Sequence, residues 1–370
     1  MHNPHYPYRA DVDGLRALAV ASVIAFHAFP TLAPGGFVGV DIFFVISGFL
    51  ITGILRREIA DSTFSIARFY GRRARRPFPA LAVVLAAALV MGWAVLFADE
   101  YRRLGTHVAA GVAFVSNIAF WAETGYFDAE SELKPLLDLW SLGVEEQFYI
   151  VWPLIIALTF RARLNFLAVV ATLGLLSFAV GIALVDARPA SAFFLPHPRF
   201  WELMVGGLLA AAVPMLDARS TAAEGSAGAR HGVAKLREAA ALGGLCLIGL
   251  SIALIDQNAS FPGWWALLPA AGSALLIGAG PTTWIARHLT SRRALVFIGL
   301  ISYPLYLWHW PPLSFGRIIA EGEPTLQARA ALVLAAVILA WATYRYVEAP
   351  VRGVASRAGD PERSSPVWQQ

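Results

Sequence analysis

The residues in this sequence best suited to chemistry are Arg16 and His27, which lie in one apolar stretch that begins at Asp13. They are eleven residues apart, about three helical turns, so both project from nearly the same helix face at roughly 16 Å separation. Neutral imidazole acts as a base or a nucleophile near pH 7, and arginine binds phosphate or stabilises a developing oxyanion. A lone histidine in an apolar helix is often a packing residue. An aligned arginine favours a polar path through a membrane helix, because ionisable groups are costly in hydrocarbon.

Three acidic residues in other apolar stretches are candidates to assist His27. Asp41 begins the second apolar segment, where a carboxylate either orients the imidazole or complements the helix dipole. Glu145 and Glu146 are neighbours, and neighbouring helical residues point about 100° apart, so we expect them not to share one partner. At least one of them is expected to face a cavity, either for catalysis or to neutralise a buried arginine such as Arg16. The sequence does not rank the two.

A cluster of seven arginines between Arg56 and Arg76 contains the residues that we predict to bind an anionic ligand. A basic cluster that contains arginines and no lysine favours planar, bidentate recognition of phosphate or carboxylate. Arg73 lies one helical turn before Arg76, with Arg72 and Tyr70 beside it, and this arrangement suits a phosphorylated donor that arrives from the cytoplasm. A topology signal that also contacts anionic membrane lipids has the same composition, so both interpretations stand.

Aromatic and charged residues nearer the C-terminus form a candidate acceptor site. Trp308, His309 and Trp310 fall at the predicted outer interface, where tryptophan anchors membrane proteins and where stacked rings with a histidine also suit a sugar. Arg199 and Glu202 lie one turn apart at a helix entry. We predict that they form an ion pair that fixes this entry, with substrate binding as the second interpretation.

The composition indicates that these residues belong to a membrane protein. The chain has 370 residues, 58% hydrophobic and 15% charged, and is far more apolar than a soluble domain of that length. Its net charge of +4 comes from basic residues grouped in particular loops. This grouping indicates that they set the membrane topology and bind anionic ligands, and we expect no binding of nucleic acid. The single Cys246 excludes an intramolecular disulfide and a thiolate metal cage, and we expect no metal. The polar N-terminus predicts no cleavable signal peptide.

Eleven apolar stretches are candidates for membrane helices: Leu15 to Phe29, Phe37 to Leu55, Ala80 to Phe97, His107 to Trp121, Trp140 to Phe160, Phe166 to Val185, Phe200 to Val213, Ala239 to Ile255, Trp264 to Ala279, Leu295 to Phe315 and Ala328 to Tyr346. The stretch from His107 to Trp121 is predicted not to cross the membrane. If the other ten stretches cross, the loops on one side contain 20 Lys and Arg and those on the other side contain 6, and an excess of basic residues marks the cytoplasmic side. The predicted fold is therefore all-α: a polytopic bundle of about ten transmembrane helices plus one re-entrant or interfacial segment. We expect it in the cell (inner) membrane with both termini cytoplasmic, as a membrane domain at 1–352 and a short disordered cytoplasmic tail at 353–370.

Several long motifs resemble those of the acyltransferase-3 family of membrane O-acyltransferases. In chain order they are residues 9–20 with His27, 36–49, 69–73, 140–149, 301–311 and 346–352. The resemblance implies about ten membrane helices and the transfer of an acyl group, usually acetyl, to a carbohydrate or glycolipid hydroxyl at the outer face. The donor that it implies is cytoplasmic acyl-CoA, with acetyl-CoA favoured, as a co-substrate without any tightly bound cofactor.

The resemblance also assigns residues and shows departures. Arg16 and His27 match the family's essential arginine and histidine, and Arg73 with Arg76 matches its paired arginines. Asp138 stands where many members have a histidine before the Trp-Ser-Leu motif. This departure weakens the expectation that a histidine at the outer end of the site assists the acceptor. Many relatives continue into an extracytoplasmic hydrolase-like domain. Here we expect transfer to be completed within the membrane domain or with a separate extracytoplasmic partner protein. Direct transfer and an acyl-histidine intermediate both remain open.

A transporter is the alternative from another functional class. Ten helices with intramembrane arginine, histidine and carboxylates also suit proton-coupled transport, or flipping, of a glycolipid or an anionic solute. Against this interpretation, the two halves of the chain show no obvious similarity, and the charged residues of the apolar stretches concentrate in the first 150 residues. Consumption of a thioester by the purified protein distinguishes the enzyme from the transporter.

Overall fold

The computed structural model describes residues 8–124, 131–222 and 227–351. These ranges contain fifteen α-helices and no β-strand: α1 (Ala10–Ala28), α2 (Gly39–Ala60), α3 (Ile66–Arg75), α4 (Phe78–Val95), α5 (Ala98–Val112), α6 (Ser116–Glu123), α7 (Leu139–Arg161), α8 (Phe166–Val185), α9 (Pro189–Phe194), α10 (Phe200–Ala222), α11 (Ala227–Leu254), α12 (Leu267–Ala279), α13 (Arg293–Leu300), α14 (Ser302–Ala320) and α15 (Leu326–Thr343). The predicted all-α fold is confirmed. The tail predicted at 353–370 lies outside the described residues.

Within the described ranges, six helical segments are long and apolar enough to cross a membrane: Gly36–Ala60, Ile66–Val95, Leu139–Arg161, Phe166–Val185, His231–Leu254 and Leu326–Val351. Two shorter apolar helices, Phe200–Met215 and Leu267–Ala279, match two further predicted spans. The remaining two correspond to α1 and α14, which have 19 residues each and carry more polar side chains. The chain is therefore a multi-pass membrane bundle, and the count of ten crossings stays a prediction.

The stretch predicted to be re-entrant, His107 to Trp121, is not one continuous helix. It is divided between α5 and α6 by a break at residues 113–115, where Phe114 adopts a positive φ of 54°. Each of the two helices is shorter than a membrane crossing requires. One further predicted span, Leu295 to Phe315, is also broken, because α13 ends and α14 begins on either side of Ile301.

The helix α2, which carries Asp41 and Ser47, lies at the centre of the bundle. In the apolar window of α2, 72% of the residues are buried, compared with 22% in α8 and 17% in the segment containing α15. Close contact between α2 and α10 depends on two glycines: a Cβ on Gly48 would lie 1.8 Å from the carbonyl oxygen of Leu203, and one on Gly206 would lie 2.0 Å from that of Val45. Small residues let membrane helices approach at their backbones, so this contact fixes α2 and the side chains that it presents.

Candidate functional site

Two cavities lie end to end in the bundle and share Val40 and Tyr306 as a wall. The first, here called the arginine cavity, is narrow, with a volume of about 100 Å³. Its polar lining is Arg16, Ser47, Arg73, Arg76, Ser141, Glu145, Glu146, Tyr149, Ser302, Tyr303 and Tyr306. The second, the histidine cavity, measures about 550 Å³. Its lining includes His27, Asp138, Trp140, Phe193, Phe194, Arg199 and Trp310.

Arg73 is the central cation of the arginine cavity. Its Nη2 lies 3.7 Å from Glu145 Oε1 and 3.5 Å from Glu146 Oε1, and its guanidinium carbon stands 3.6 Å from the centroid of the Tyr149 ring. Glu145 Oε1 also accepts hydrogen bonds from the hydroxyls of Ser47, at 2.5 Å, and Tyr149. The expectation that the two glutamates have separate partners is wrong. The long Arg73 side chain enters from α3 and reaches both, although they point in different directions from α7.

The remaining residues predicted to bind an anionic donor divide into two groups. Arg16 and Arg76 line the arginine cavity, and Arg16 Nη1 lies 3.4 Å from Asp13 Oδ1, so its carboxylate partner is on its own helix and is not Glu145 or Glu146. Arg72 points away and pairs with Glu58 at 2.5 Å on a largely exposed surface. The Tyr70 hydroxyl donates to the carbonyl oxygen of Ile150 at 2.6 Å and ties α3 to α7.

His27 is part of a compact cluster with Asp138 and His309. Its Nδ1 lies 3.1 Å from His309 Nε2 and 3.6 Å from Asp138 Oδ2. Asp138 Oδ2 lies 2.8 Å from His309 Nε2, but this contact does not have the geometry of a hydrogen bond, and Oδ2 accepts no other. Arg317 Nη2 donates to the His27 carbonyl oxygen at 2.9 Å and so holds the end of α1 in place. The carboxylate beside His27 is therefore Asp138.

Hydrogen bonding within this cluster assigns the basic atom of His27. His309 Nδ1 lies 2.6 Å from the carbonyl oxygen of Tyr306, which only accepts, so Nδ1 carries the proton of a neutral ring. When both rings are neutral, His309 Nε2 accepts from His27 Nδ1, and the free lone pair of His27 is on Nε2. When His27 takes up a second proton, the Asp138 carboxylate stabilises the resulting imidazolium. The cluster therefore has the arrangement of a general base with its orienting partners.

Asp41 does not orient His27, contrary to one of the two predictions for it. It is fully buried and its Oδ1 accepts from Arg199 Nη2 at 3.0 Å. Arg199 Nε lies 3.3 Å from Glu202 Oε1, so the ion pair predicted at this helix entry is formed. Asp41 and Arg199 border the histidine cavity, but their charged groups face each other, and the cluster connects the start of α2 to the start of α10.

The three neighbouring residues of α14 that were predicted to contact the acceptor point in different directions. Trp310 lines the histidine cavity, with its ring centroid 4.5 Å from that of His27, and its indole donates to the carbonyl oxygen of Lys134 at 2.8 Å. His309 faces His27 and Asp138 as described above. Trp308 points the other way and donates to Thr343 Oγ1 at 2.9 Å, so it contacts α15 and does not line this cavity. Successive helical residues point about 100° apart, which explains the division.

A separate ionic network supports the segment that carries Asp138. His107 Nε2 lies 2.7 Å from Glu123 Oε1, and Lys134 Nζ lies 3.0 Å from Glu123 Oε2. Burial acts to raise the pKa of Glu123, but the hydrogen bonds and charges of His107 and Lys134 outweigh it, and the pKa is below its usual value. Because Trp310 donates to the Lys134 carbonyl, this network is connected to the histidine cavity.

Sequence reasoning gives no site role to several residues that line the two cavities, and Asp138 and Tyr306 are the most central of them. In the sequence, Asp138 is a departure from the family motif with no predicted contact to His27, although a carboxylate at the end of an apolar helix is itself a signal of a functional partner. Tyr306 had no assigned role. Its hydroxyl lies 2.7 Å from Ser141 Oγ and donates to the Asp138 carbonyl oxygen at 3.1 Å, so it forms the partition between the two cavities. These groups meet only in the tertiary structure, where the Tyr306 side chain reaches from α14 to the start of α7.

Comparison with known proteins gives one family. Residues 9–345 match the acyltransferase-3 family model, described as an acyltransferase domain. "Peptidoglycan O-acetyltransferase OatA" of Listeria monocytogenes is 33% identical over 358 residues, which cover 93% of this chain and 56% of that protein. "Putative peptidoglycan O-acetyltransferase YrhL" of Bacillus subtilis is 32% identical over 360 residues, covering 94% and 55%. The chain thus spans about half the length of the curated relatives it matches. No solved structure matches it.

Proposed function

Because this chain belongs to the acyltransferase-3 family, we propose that it is a membrane O-acetyltransferase that moves an acetyl group from acetyl-CoA to a hydroxyl of a cell-wall glycan. The observation that carries the proposal is the pair of cavities with a common wall at Val40 and Tyr306, one lined by arginines and the other by the His27 cluster. The names of the relatives from Listeria and Bacillus support peptidoglycan as the acceptor.

The arginine cavity suits the phosphates and the extended arm of the donor. Arg73 is held by Glu145 and Glu146, and its Nε is buried without a hydrogen-bond partner, so the guanidinium keeps donor capacity for a phosphate. Arg16 and Arg76 line the same space. A narrow cavity that ends at Tyr306 suits an unbranched thioester arm more than a sugar. Arg16 lies about 16 Å along α1 from His27, so we assign it to the donor and not to an oxyanion at His27.

The histidine cavity suits the acceptor. A volume of about 550 Å³ lies within the range of small-ligand pockets, and Trp140, Phe193, Phe194 and Trp310 supply ring faces against which a sugar can stack. His27 lies in the wall of this cavity, within reach of a hydroxyl bound there. The acceptor and the donor thus approach the shared wall from opposite sides.

The proposed step is direct transfer with His27 as general base. The acceptor hydroxyl gives its proton to His27 Nε2 while its oxygen bonds to the thioester carbonyl carbon. The carbon–sulfur bond then breaks, and the leaving sulfur of CoA takes the proton from the imidazolium. Asp138 stabilises the imidazolium between these events. No atom of the protein is acylated, so an acyl-histidine intermediate is not part of this proposal.

The orientation of the protein is part of the proposal. The 20 to 6 division of basic residues supports a cytoplasmic position for both termini and for the loop that carries Arg73. The donor cavity then opens toward cytoplasmic acetyl-CoA, and the histidine cavity opens toward the cell wall.

The test is acetyl transfer by purified protein in proteoliposomes, with labelled acetyl-CoA, peptidoglycan fragments and parallel detection of free CoA. His27→Gln keeps most of the side-chain volume but accepts no proton, and we expect transfer to fall by roughly 100- to 10,000-fold. His288→Gln is the matched control, because His288 is exposed and bonds to Trp284 away from both cavities. Substantial transfer by the His27→Gln protein at normal levels removes His27 from the mechanism. Solute movement without CoA release supports the transporter instead.

A further inference from the structure

The His27, Asp138 and His309 cluster contains more electron-pair donors than protons to satisfy them. His27 Nδ1, Asp138 Oδ2 and His309 Nε2 face one another at 2.8 to 3.6 Å. The proton of His309 is on Nδ1 and bonds to Tyr306, so a neutral pair of histidines places one proton among the three atoms. Asp138 Oδ2 is buried and lacks a hydrogen-bond partner. A cation held by all three atoms would satisfy this arrangement.

The distances match those around a small tetrahedral metal ion. An ion with bonds of about 2.0–2.1 Å keeps its ligand atoms about 3.3 Å apart, and the observed separations of 2.8, 3.1 and 3.6 Å bracket that value. His309 also has the outer contact expected of a metal ligand, because its other ring nitrogen donates to a backbone carbonyl at 2.6 Å. His27 and Asp138 also line the histidine cavity, so a fourth ligand such as water can reach the ion from that side.

The ligand set and its surroundings select the kind of ion. Two imidazoles and one carboxylate favour a borderline ion such as Zn²⁺ over Mg²⁺ or Ca²⁺, which prefer oxygen. Asp256 is exposed on the wall of the cavity and favours the approach of cations. The nearby Arg317 does not oppose binding strongly, because Glu323 pairs with it at 2.7 Å and Glu132 lies 3.4 Å away.

We propose that His27, Asp138 and His309 form a site for a zinc-class divalent ion, and that an ion bound there inhibits acyl transfer. Coordination uses the lone pair of His27 Nδ1, so the proton of the neutral ring must move to Nε2, the atom that accepts the hydroxyl proton. Metal binding and base catalysis therefore exclude each other. The inhibition rests on the proposed function, whereas the binding does not. The site departs from the sequence expectation of no metal.

Binding is measured first, on protein purified with a tag free of histidine and cysteine. We expect one Zn²⁺ per chain by calorimetry and metal analysis, no binding of Mg²⁺, and Co²⁺ absorption bands of tetrahedral intensity. Asp138→Asn and His309→Gln should each weaken Zn²⁺ binding by more than about 100-fold, because even the loss of an outer-shell partner costs about 10- to 100-fold. His288→Gln is the control, since His288 is a histidine that lies away from both cavities.

Thermal unfolding and elution in detergent check that each variant is folded. Equal Zn²⁺ binding by the wild-type and the folded Asp138→Asn and His309→Gln proteins overturns the site. Inhibition is measured separately as acetyl transfer with added Zn²⁺ and after chelation. We expect loss of transfer at the concentration that fills the site and recovery after chelation. Transfer that increases with Zn²⁺ overturns the inhibitory role. Protein that binds Zn²⁺ at this site but never transfers acetyl groups contradicts the proposed function and leaves the metal site standing.

Discussion

Replacing Asp138 by Asn tests the role of the carboxylate beside His27. The two side chains have nearly the same shape, so the change removes a charge and little packing. Asp138 Oδ2 lies 3.6 Å from His27 Nδ1, and at that distance two unit charges interact by about 4.6 kcal/mol at an effective dielectric constant of about 20. Water in the open cavity screens part of this energy. We therefore expect kcat to fall by about 100- to 1,000-fold, equivalent to about 2.7–4.1 kcal/mol.

The assay is steady-state acetyl transfer in proteoliposomes with acetyl-CoA varied at saturating acceptor. The KM for acetyl-CoA should change little, because the arginines of the donor cavity lie on the other side of Tyr306. Asp256→Asn is the matched control: it removes an exposed carboxylate from the same cavity without touching the cluster. A folded Asp138→Asn protein with kcat close to wild type refutes stabilisation of the His27 imidazolium by Asp138. A rise in KM alone also refutes it.

The remaining predictions concern the donor, the packing and the topology. Arg73→Ala should raise the KM for acetyl-CoA by at least about 10-fold, since a lost charge-assisted contact costs about 1.5–3 kcal/mol, while Arg72→Ala, on an exposed surface, leaves donor kinetics unchanged. Gly48→Val should lower the unfolding temperature in detergent by overpacking worth about 1–3 kcal/mol, whereas Gly53→Val on the same helix has open space and should have little effect. A reporter placed between α10 and α11 should read cytoplasmic and one between α6 and α7 external, and the reverse result contradicts the proposed orientation.

The sequence by itself determined the membrane class, the family and the helices that carry the chemistry. Hydropathy and the motifs around Arg16, His27 and Arg73 were sufficient, because a membrane helix must satisfy its backbone internally and so leaves a local pattern in the chain. The same reasoning predicted that the stretch from His107 to Trp121 does not cross, since a crossing there would place the basic residues of every later loop on the other side. The break between α5 and α6 inside that stretch was not predicted.

The partners of these residues were decided only by the tertiary structure. His27 meets Asp138 and His309, which are more than 100 and 280 positions away, because α1, α7 and α14 converge. Arg73 bridges two glutamates that local geometry had separated. Helical periodicity fixes the direction of a side chain relative to its own axis, but the rotation and the neighbours of each helix follow from packing across the bundle. Contact between distant residues therefore leaves no periodic signal in a single sequence.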